Sequence, residues 1–141
     1  MKIALIAFFI LILSKGCSQN DLKNATIEYR ANTRGFYQKI TIQNQMLYVT
    51  TDRDEKGKGT ESKIDQTTWK ELVTSFEKLD LMQLSNYKAP SEKRFYDGAA
   101  IAGMKVNFKD SDYKSVDFDH GNPPVEIADL INKIVSLVPK E

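Results

Sequence analysis

The sequence contains few of the residues from which cross-links and metal sites are most often built. Among 141 residues there is one cysteine, Cys17, and one histidine, His120. A lone cysteine excludes an internal disulfide. With a single histidine, a zinc site would need carboxylates for most of its ligands, which is uncommon. We therefore predict neither a metal site nor a cofactor.

An excess of charge of one sign is also lacking. The chain has 20 basic and 19 acidic residues, and loss of Lys2 and Lys15 with the first sixteen residues would leave a net charge of −1. Without a strong positive field, nucleic-acid binding loses its electrostatic driving force, so no nucleic-acid partner is predicted. Internal repeats, low-complexity tracts and an interdomain linker are absent too, so one domain is predicted over residues 25–139.

The N-terminus has the features of an export signal. Lys2 precedes an unbroken apolar run over residues 3–13, which is too short to span a bilayer and suits a signal-peptide core. Ser14-Lys15-Gly16 then places small residues directly before Cys17. This predicts a signal peptide over residues 1–16, followed by a polar tether over residues 17–24.

The signal and its cysteine resemble those of bacterial lipoproteins, in which the cysteine carries acyl chains such as palmitate. The resemblance implies an exported protein that is anchored to a membrane through Cys17. Its location would be the periplasmic face or the outer surface of the outer membrane. Ser14 and Gly16 would equally suit an ordinary signal peptidase, which would leave Cys17 as a free thiol.

The first half of the domain predicts three strands. Apolar and polar residues alternate over residues 26–30 and 36–42. A two-residue turn at Asn44-Gln45 would then place Ile42 opposite Leu47 and Ile40 opposite Val49. Residues 52–63 are charged and dotted with glycine, which predicts a mobile loop. Asp52, Asp54 and Gly57 faintly resemble a calcium-binding loop, but Lys56 stands where that loop needs an oxygen ligand and no glutamate falls at its last position.

Apolar residues that recur every three to four positions predict two helices. Asp65 is predicted to cap the first helix, which ends near Asp80, and either Asn122 or Pro123 is predicted to cap the second. The first helix has the stripe Trp69, Leu72, Val73 and Phe76, and Leu79, Leu81, Met82 and Leu84 would continue the core. The second has Val125, Ile127, Leu130, Ile131, Ile134 and Val138.

Between the helices, residues 102–108 and 116–118 predict two more strands. With both apolar sets on one face, Met104 would lie opposite Phe118, across a loop at residues 110–112. The same register places Val106 opposite Val116 and Lys105 opposite Asp117. The predicted fold class is α+β: an antiparallel sheet of about five strands with two helices on one face, in the order β-β-β-α-β-β-α.

This register gathers several polar residues at one end of the last hairpin. The candidate residues are Arg94, Tyr96, Asp97, Asp119, His120 and Asn122. His120 would lie opposite Ala102 on the apolar side, and Asp119 would face outward beside Gly103. Three interpretations stay open: a structural corner pinned by Arg94 and His120, a binding site for a small polar ligand or a partner chain, and a catalytic site. No catalytic residue is predicted, because no orienting third group can be placed.

Two segments of this corner, RFYDGAA at residues 94–100 and FDHGNPP at residues 118–124, carry a second resemblance. With them, residues 25–138 resemble a group of small uncharacterised lipoproteins of flavobacteria-like Gram-negative bacteria. The resemblance implies export and lipidation. It implies no activity, so it assigns no functional residue.

The function predicted from these observations is that of a lipid-anchored, non-catalytic binding or interaction module of the cell envelope. Its partner would be an envelope protein or a glycan, and Tyr29, Tyr37 and Tyr48 would present an aromatic face. One alternative is a small hydrolase-like enzyme with a site around His120, Asp97 and Arg94. Another is an envelope spacer without a ligand. The oligomeric state does not follow from the sequence.

Overall fold

The structure is a computed structural model that describes residues 21–57 and 59–140. Within these residues the chain forms two α-helices, α1 (Gln66–Glu77) and α2 (Val125–Ser136), and three short 3-10 turns, Leu22–Asn24, Leu81–Asn86 and Lys93–Tyr96. The strands are β1 (Ala25–Thr33), β2 (Phe36–Gln43), β3 (Met46–Thr50), β4 (Thr60–Lys63), β5 (Ile101–Phe108), β6 (Ser111–Lys114) and β7 (Phe118–Asp119).

The strands form one antiparallel sheet in the order β4-β3-β2-β1-β5-β6, and β7 pairs with the first residues of β5. The predicted α+β class is therefore confirmed. The prediction of about five strands is too low, because it missed β4 and because its last strand is divided into β6 and β7. The described order is four strands, a helix, three strands and a helix.

One face of the sheet is buried, and both helices pack against it. Alternate residues of β1, β2 and β5 point into the core, as strand geometry requires. The core combines sheet residues such as Ile27, Ile40 and Val106 with helix residues such as Phe76 and Ile131 in one cluster. The opposite face of the sheet, which we call the outer face, carries the polar residues.

Helix α1 begins as predicted. Asp65 caps it, because its carboxylate accepts hydrogen bonds from the Thr68 backbone N–H at 2.9 Å and the Thr68 hydroxyl at 2.6 Å. The helix ends at Glu77, earlier than expected, and a 3-10 turn follows whose first N–H groups are capped by Asp80. Met82 is 72% exposed in this turn, so its predicted place in the core is wrong.

The β2–β3 hairpin has the predicted register, with Ile42 opposite Leu47 and Ile40 opposite Val49. Asn44 and Gln45 both have positive φ, of 51° and 64°, which suits a tight two-residue hairpin turn. Gln45 has no glycine-like freedom, but its side-chain amide donates a hydrogen bond to the Ile64 carbonyl at 2.8 Å. That contact ties the turn to the chain that leaves β4.

Part of the predicted loop at residues 52–63 is in fact strand β4, which pairs with β3. All four residues of β4 are exposed and polar, so the apolar alternation that signals a strand is missing. The preceding turn is closed by Asp52, whose carboxylate accepts hydrogen bonds from the backbone N–H groups of Asp54, Lys56 and Gly57.

The predicted register of the last hairpin is wrong. Lys109 and Asp110 form a two-residue turn with φ of 50° and 60°, so that Lys105 lies opposite Lys114. Val106 correspondingly lies opposite Tyr113 rather than Val116. Residues 116–117 then leave the ladder, and β7 resumes with Phe118 opposite Ala102 rather than Met104.

Ser115 marks the point where this strand is interrupted. Its hydroxyl accepts a hydrogen bond from the Met104 N–H at 2.9 Å and donates one to the Val116 carbonyl at 2.8 Å. A side chain thus takes over a bond that a regular ladder would supply. This local change moves Asp119 opposite Ile101, two residues from its predicted neighbour Gly103.

Helix α2 begins later than predicted. Pro124, not Asn122 or Pro123, is the residue before its first turn, and Val125 is 80% exposed rather than part of the buried stripe. Ile127, Leu130, Ile131 and Ile134 form the buried face. The Ser75 hydroxyl of α1 donates to the Asp129 carboxylate of α2, which joins the two helices.

Candidate functional site

The Asp119 corner is the set of contacts between β7 and residues 91–94. The Asp119 side chain is 2% exposed. Its Oδ2 accepts hydrogen bonds from the Ser91 hydroxyl at 2.6 Å and the Lys93 N–H at 2.8 Å. Its Oδ1 accepts two from Arg94, one from the backbone N–H at 3.0 Å and one from Nη1 at 3.1 Å. Each carboxylate oxygen therefore has two donors.

The electrostatics of this corner follow from that geometry. Burial by itself would raise the pKa of Asp119, because it removes water from the charged form. The hydrogen bonds from Ser91, the Arg94 and Lys93 backbones and the Arg94 side chain outweigh burial and hold the pKa of Asp119 well below its ordinary value of 3.8. The carboxylate is thus ionised, paired with a guanidinium and closed to further ligands.

Asn122 completes the corner. Its side-chain amide donates to the Ser91 hydroxyl at 2.8 Å, and its backbone N–H donates to the Asp119 carbonyl at 2.9 Å. Gly121 lies between them with φ of 90°, a conformation that favours glycine. The structure therefore brings Arg94, Asp119 and Asn122 together. It adds Ser91, which has no sequence signal because its role depends on tertiary contacts.

His120 points to the other side of the strand, into the end of the core. Its Nδ1 shares a hydrogen bond of 2.7 Å with the Tyr29 hydroxyl, and its ring lies 5.4 Å from that of Phe36. Phe118, not His120, lies opposite Ala102, so that part of the prediction is wrong. Burial lowers the pKa of His120, and burial raises the pKa of Tyr29. Both groups are therefore held in their neutral forms.

Tyr96 and Asp97 do not join the corner. Both are exposed, and Asp97 ends the 3-10 turn with φ of 59°. Within the described chain, no hydrogen bond or ion pair links the Asp97 carboxylate to Arg94 or His120. Arg94 is bonded to Asp119, and the one side-chain hydrogen bond of His120 is with Tyr29. The structure therefore does not bring the Asp97 carboxylate together with Arg94 and His120.

The outer face of the sheet is a second polar region, which the sequence indicated only through two of its tyrosines. A row of residues crosses five strands in register: Tyr48, Thr41, Glu28, Lys105 and Lys114 lie side by side. Tyr37 lies on this face as well. Tyr29 does not, because it is fully buried in the core, so the predicted aromatic face of three tyrosines is wrong.

A loop folds onto this face. We call residues 51–57 with Gly59 the Glu55 loop. The Glu55 carboxylate accepts a hydrogen bond from the Tyr37 hydroxyl at 2.8 Å and two from Lys39 Nζ at 3.1 Å. The hydrogen bonds from Tyr37 and Lys39 lower the pKa of Glu55. These hydrogen bonds hold the Glu55 loop against β2.

Two clefts lie on the outer face. The Tyr48 cleft has a volume of about 410 Å³ and is lined by Lys39, Thr41, Tyr48, Glu55, Thr60 and Glu61, among others. The Lys114 cleft, of about 360 Å³, is lined by residues that include Arg30, Gly103, Lys105, Lys114 and Asp117. Both volumes lie within the range of about 300–1,000 Å³ that is usual for small-molecule sites.

Residues 1–16 and Cys17 lie outside the described residues. Across residues 21–57 and 59–140, no helix has the length and apolar character needed to cross a membrane. The same residues contain no group of three or more His, Cys, Asp or Glu side chains that could hold a metal ion. The chain matches neither a protein-family model nor a curated protein.

Proposed function

We propose that the mature chain is a lipid-anchored, non-catalytic binding module of the cell envelope, and that it binds its ligand through the outer face of its sheet. The observation that carries this proposal is the outer face itself. It spans six paired strands, its residues are polar, and two clefts open on it. Both helices pack on the opposite face, so neither of them covers this one.

The free hydrogen-bonding capacity of the outer face supports the proposal. Within the described residues, the side chains of Tyr48, Glu61 and Lys114 form no hydrogen bond or ion pair. Specific sites for small ligands combine a concave surface with a few convergent polar groups. In the Asp119 corner, by contrast, every carboxylate oxygen is already occupied.

The position of the predicted anchor also supports it. β1 begins at Ala25, eight residues after Cys17, and its nine residues span about 30 Å. The Arg34-Gly35 turn and the Glu55 loop lie at the far end of the sheet from this first residue, as the strand register requires. A chain anchored through Cys17 would therefore hold these elements away from the membrane.

The anchor is tested by producing the full-length chain in a Gram-negative host supplied with an alkyne-labelled palmitate. We expect label on the wild-type protein and none on the Cys17→Ala variant. An unlabelled wild-type protein that is nonetheless exported would overturn the lipid anchor.

Binding is tested with the detergent-solubilised lipoprotein and purified envelope fractions. We expect Tyr48→Asp to abolish retention on the fraction that holds the wild type, because it places a charge in the centre of the outer face. Met82→Asp is the matched control, since Met82 is highly exposed but lies outside the sheet. Equal retention of the two variants would contradict binding through the outer face.

A further inference from the structure

The Tyr48 cleft has the chemistry of a carbohydrate site, and this inference rests on the proposed binding function. We propose that the cleft binds an uncharged sugar unit of a glycan, with the ring stacked on Tyr48. Tyr48 is 39% exposed although it lies in the middle of a paired strand. The C–H face of a sugar ring can pack against an aromatic face that remains accessible.

The neighbours of Tyr48 are placed to bond the hydroxyl groups of such a ring. Thr41 on β2 and Glu61 on β4 lie directly opposite Tyr48, one on each side. Directly opposed side chains have Cβ atoms about 4.5–5.5 Å apart, which is close to the width of one sugar ring. Glu61 supplies an ionised acceptor without a partner in the described chain, and Thr41 supplies a hydroxyl that both donates and accepts.

The charge of the cleft argues for an uncharged ligand. Lys39 and Glu55 lie 3.1 Å apart and neutralise each other. The Glu61 carboxylate is therefore the unbalanced charge among the residues described as lining the cleft. An anionic sugar would be repelled by it, whereas hydroxyl donors would be attracted. Thr50 and Thr60 add further hydroxyl groups.

The Glu55 loop forms a wall of the cleft that is preformed before a ligand binds. The Asp52 carboxylate holds the backbone N–H groups of Lys56 and Gly57, and Glu55 is bonded to the sheet. Gly59 lies so close to β3 that a Cβ atom would meet the Val49 carbonyl oxygen at 2.2 Å. Only glycine fits there, so the chain at Gly59 runs against the strand. A preformed wall reduces the ordering that a ligand must impose.

A protein strand added to the neighbouring edge is a less suitable occupant. β4 is four residues long, exposed throughout and charged at Glu61 and Lys63. Short, charged edge strands are those that proteins use to prevent strand addition. The outer face therefore favours a ligand that lies across Tyr48 over one that extends the sheet.

The test uses the full-length lipoprotein in a polyoxyethylene detergent, because a sugar-based detergent would compete. Cellobiose, maltose and N,N′-diacetylchitobiose are the probes, and saturation-transfer NMR and calorimetry give the affinities. We expect saturable binding of at least one probe, with affinity reduced about tenfold or more by Tyr48→Ala. Tyr48→Phe keeps the aromatic ring and should retain most of the affinity. A digalacturonate probe should bind more weakly than the uncharged disaccharides.

Two outcomes would overturn the inference. One is sugar binding that Tyr48→Ala leaves unchanged. The other is the absence of saturable binding to all three uncharged probes. If the wild type is still retained on envelope material through Tyr48 in that second case, the proposed binding function stands and the carbohydrate assignment alone fails. If the wild-type protein is not retained on envelope material either, the proposed binding function fails together with the carbohydrate assignment.

Discussion

The Asp119 corner and the Tyr48 cleft both contain charged side chains at a β-sheet, but they differ in how those groups are bonded. Asp119 is buried, and both of its oxygens are saturated by donors from one short segment. In the Tyr48 cleft, Glu61 and Tyr48 remain accessible and have no side-chain partner among the described residues. The saturated bonding of the corner is typical of a structural element. The accessible polar groups of the cleft are typical of a recognition site.

The comparison predicts the largest loss of stability for Asp119→Asn. An amide cannot accept a hydrogen bond from the Lys93 N–H on the side where it carries its own NH₂ group. Arg94 would also lose its ion pair with residue 119 while its charge stays largely buried. We expect the melting temperature to fall by about 10 °C or more. Asp117→Asn is the matched control at an exposed carboxylate two residues away. Equal melting temperatures of the two variants would refute a structural role for the corner.

Acid should destabilise the protein through the same corner. Because the folded pKa of Asp119 is depressed, its contribution is complete above the ordinary aspartate pKa of 3.8 and is lost as the pH falls below that value. Carboxyl ¹³C NMR checks this directly. We expect the Asp119 signal to stay at its ionised position at about pH 3, below the ordinary aspartate midpoint. A midpoint at the ordinary value would mean that the four hydrogen bonds do not hold in solution.

A smaller effect is expected for the Tyr29–His120 pair. Tyr29→Phe leaves a half-buried imidazole nitrogen without its partner and should reduce the free energy of unfolding by about 1–3 kcal/mol. Tyr37→Phe is the control, since it removes an exposed hydroxyl from Glu55 and should change the melting temperature little. Chemical denaturation measures both. An equal loss in the control would show that burial does not distinguish the two tyrosines.

His120 adds a pH dependence with a defined sign. Its pKa is lowered below 6.5 by burial, so the unfolded chain takes up the proton more readily than the folded chain. The contribution of the neutral imidazole is complete above pH 6.5 and decreases as the pH falls toward the folded pKa. An NMR titration of the imidazole should give a midpoint below 6.5. A midpoint at or above 6.5 would contradict burial of the ring beside Phe36.

The smallest change in stability is expected on the outer face. Glu61→Gln removes an exposed charge without a partner and should leave the free energy of unfolding within about 0.5 kcal/mol of the wild type. The same variant should weaken binding at the Tyr48 cleft, because a neutral amide accepts hydrogen bonds less strongly. A large loss of stability would show that Glu61 supports the fold.

The parts of the fold that the sequence predicted depend on contacts close in the chain. Asp65 caps α1 by accepting a hydrogen bond from the backbone N–H of Thr68, which is only three residues away. The Asn44-Gln45 turn joins two strands that are adjacent in the chain. β4 was missed because its four polar residues have no apolar alternation, and it forms through pairing with β3. The last hairpin was placed in the wrong register because the turn at Lys109-Asp110 and the interruption after Ser115 have no local signal.

The candidate site was predicted in part for the same reason. Arg94, Asp119 and Asn122 meet as expected, because residues 91–94 and β7 lie at the same end of β5. His120, which directly follows β7, separates from them because its side chain bonds to the Tyr29 hydroxyl at the end of the core. The Tyr48 cleft was not foreseen, since it requires the Glu55 loop to fold back over β2.

By itself, the amino-acid sequence determined the class of fold, the two helices, the buried face of each long strand and the prediction of an export signal. Periodicity and capping express these features, and both act over a few residues. Only the tertiary structure decided which polar groups are saturated and which remain free. That depends on register and on loops packing across the sheet, because a hydrogen bond between residues distant in the chain forms only after the core has brought them together.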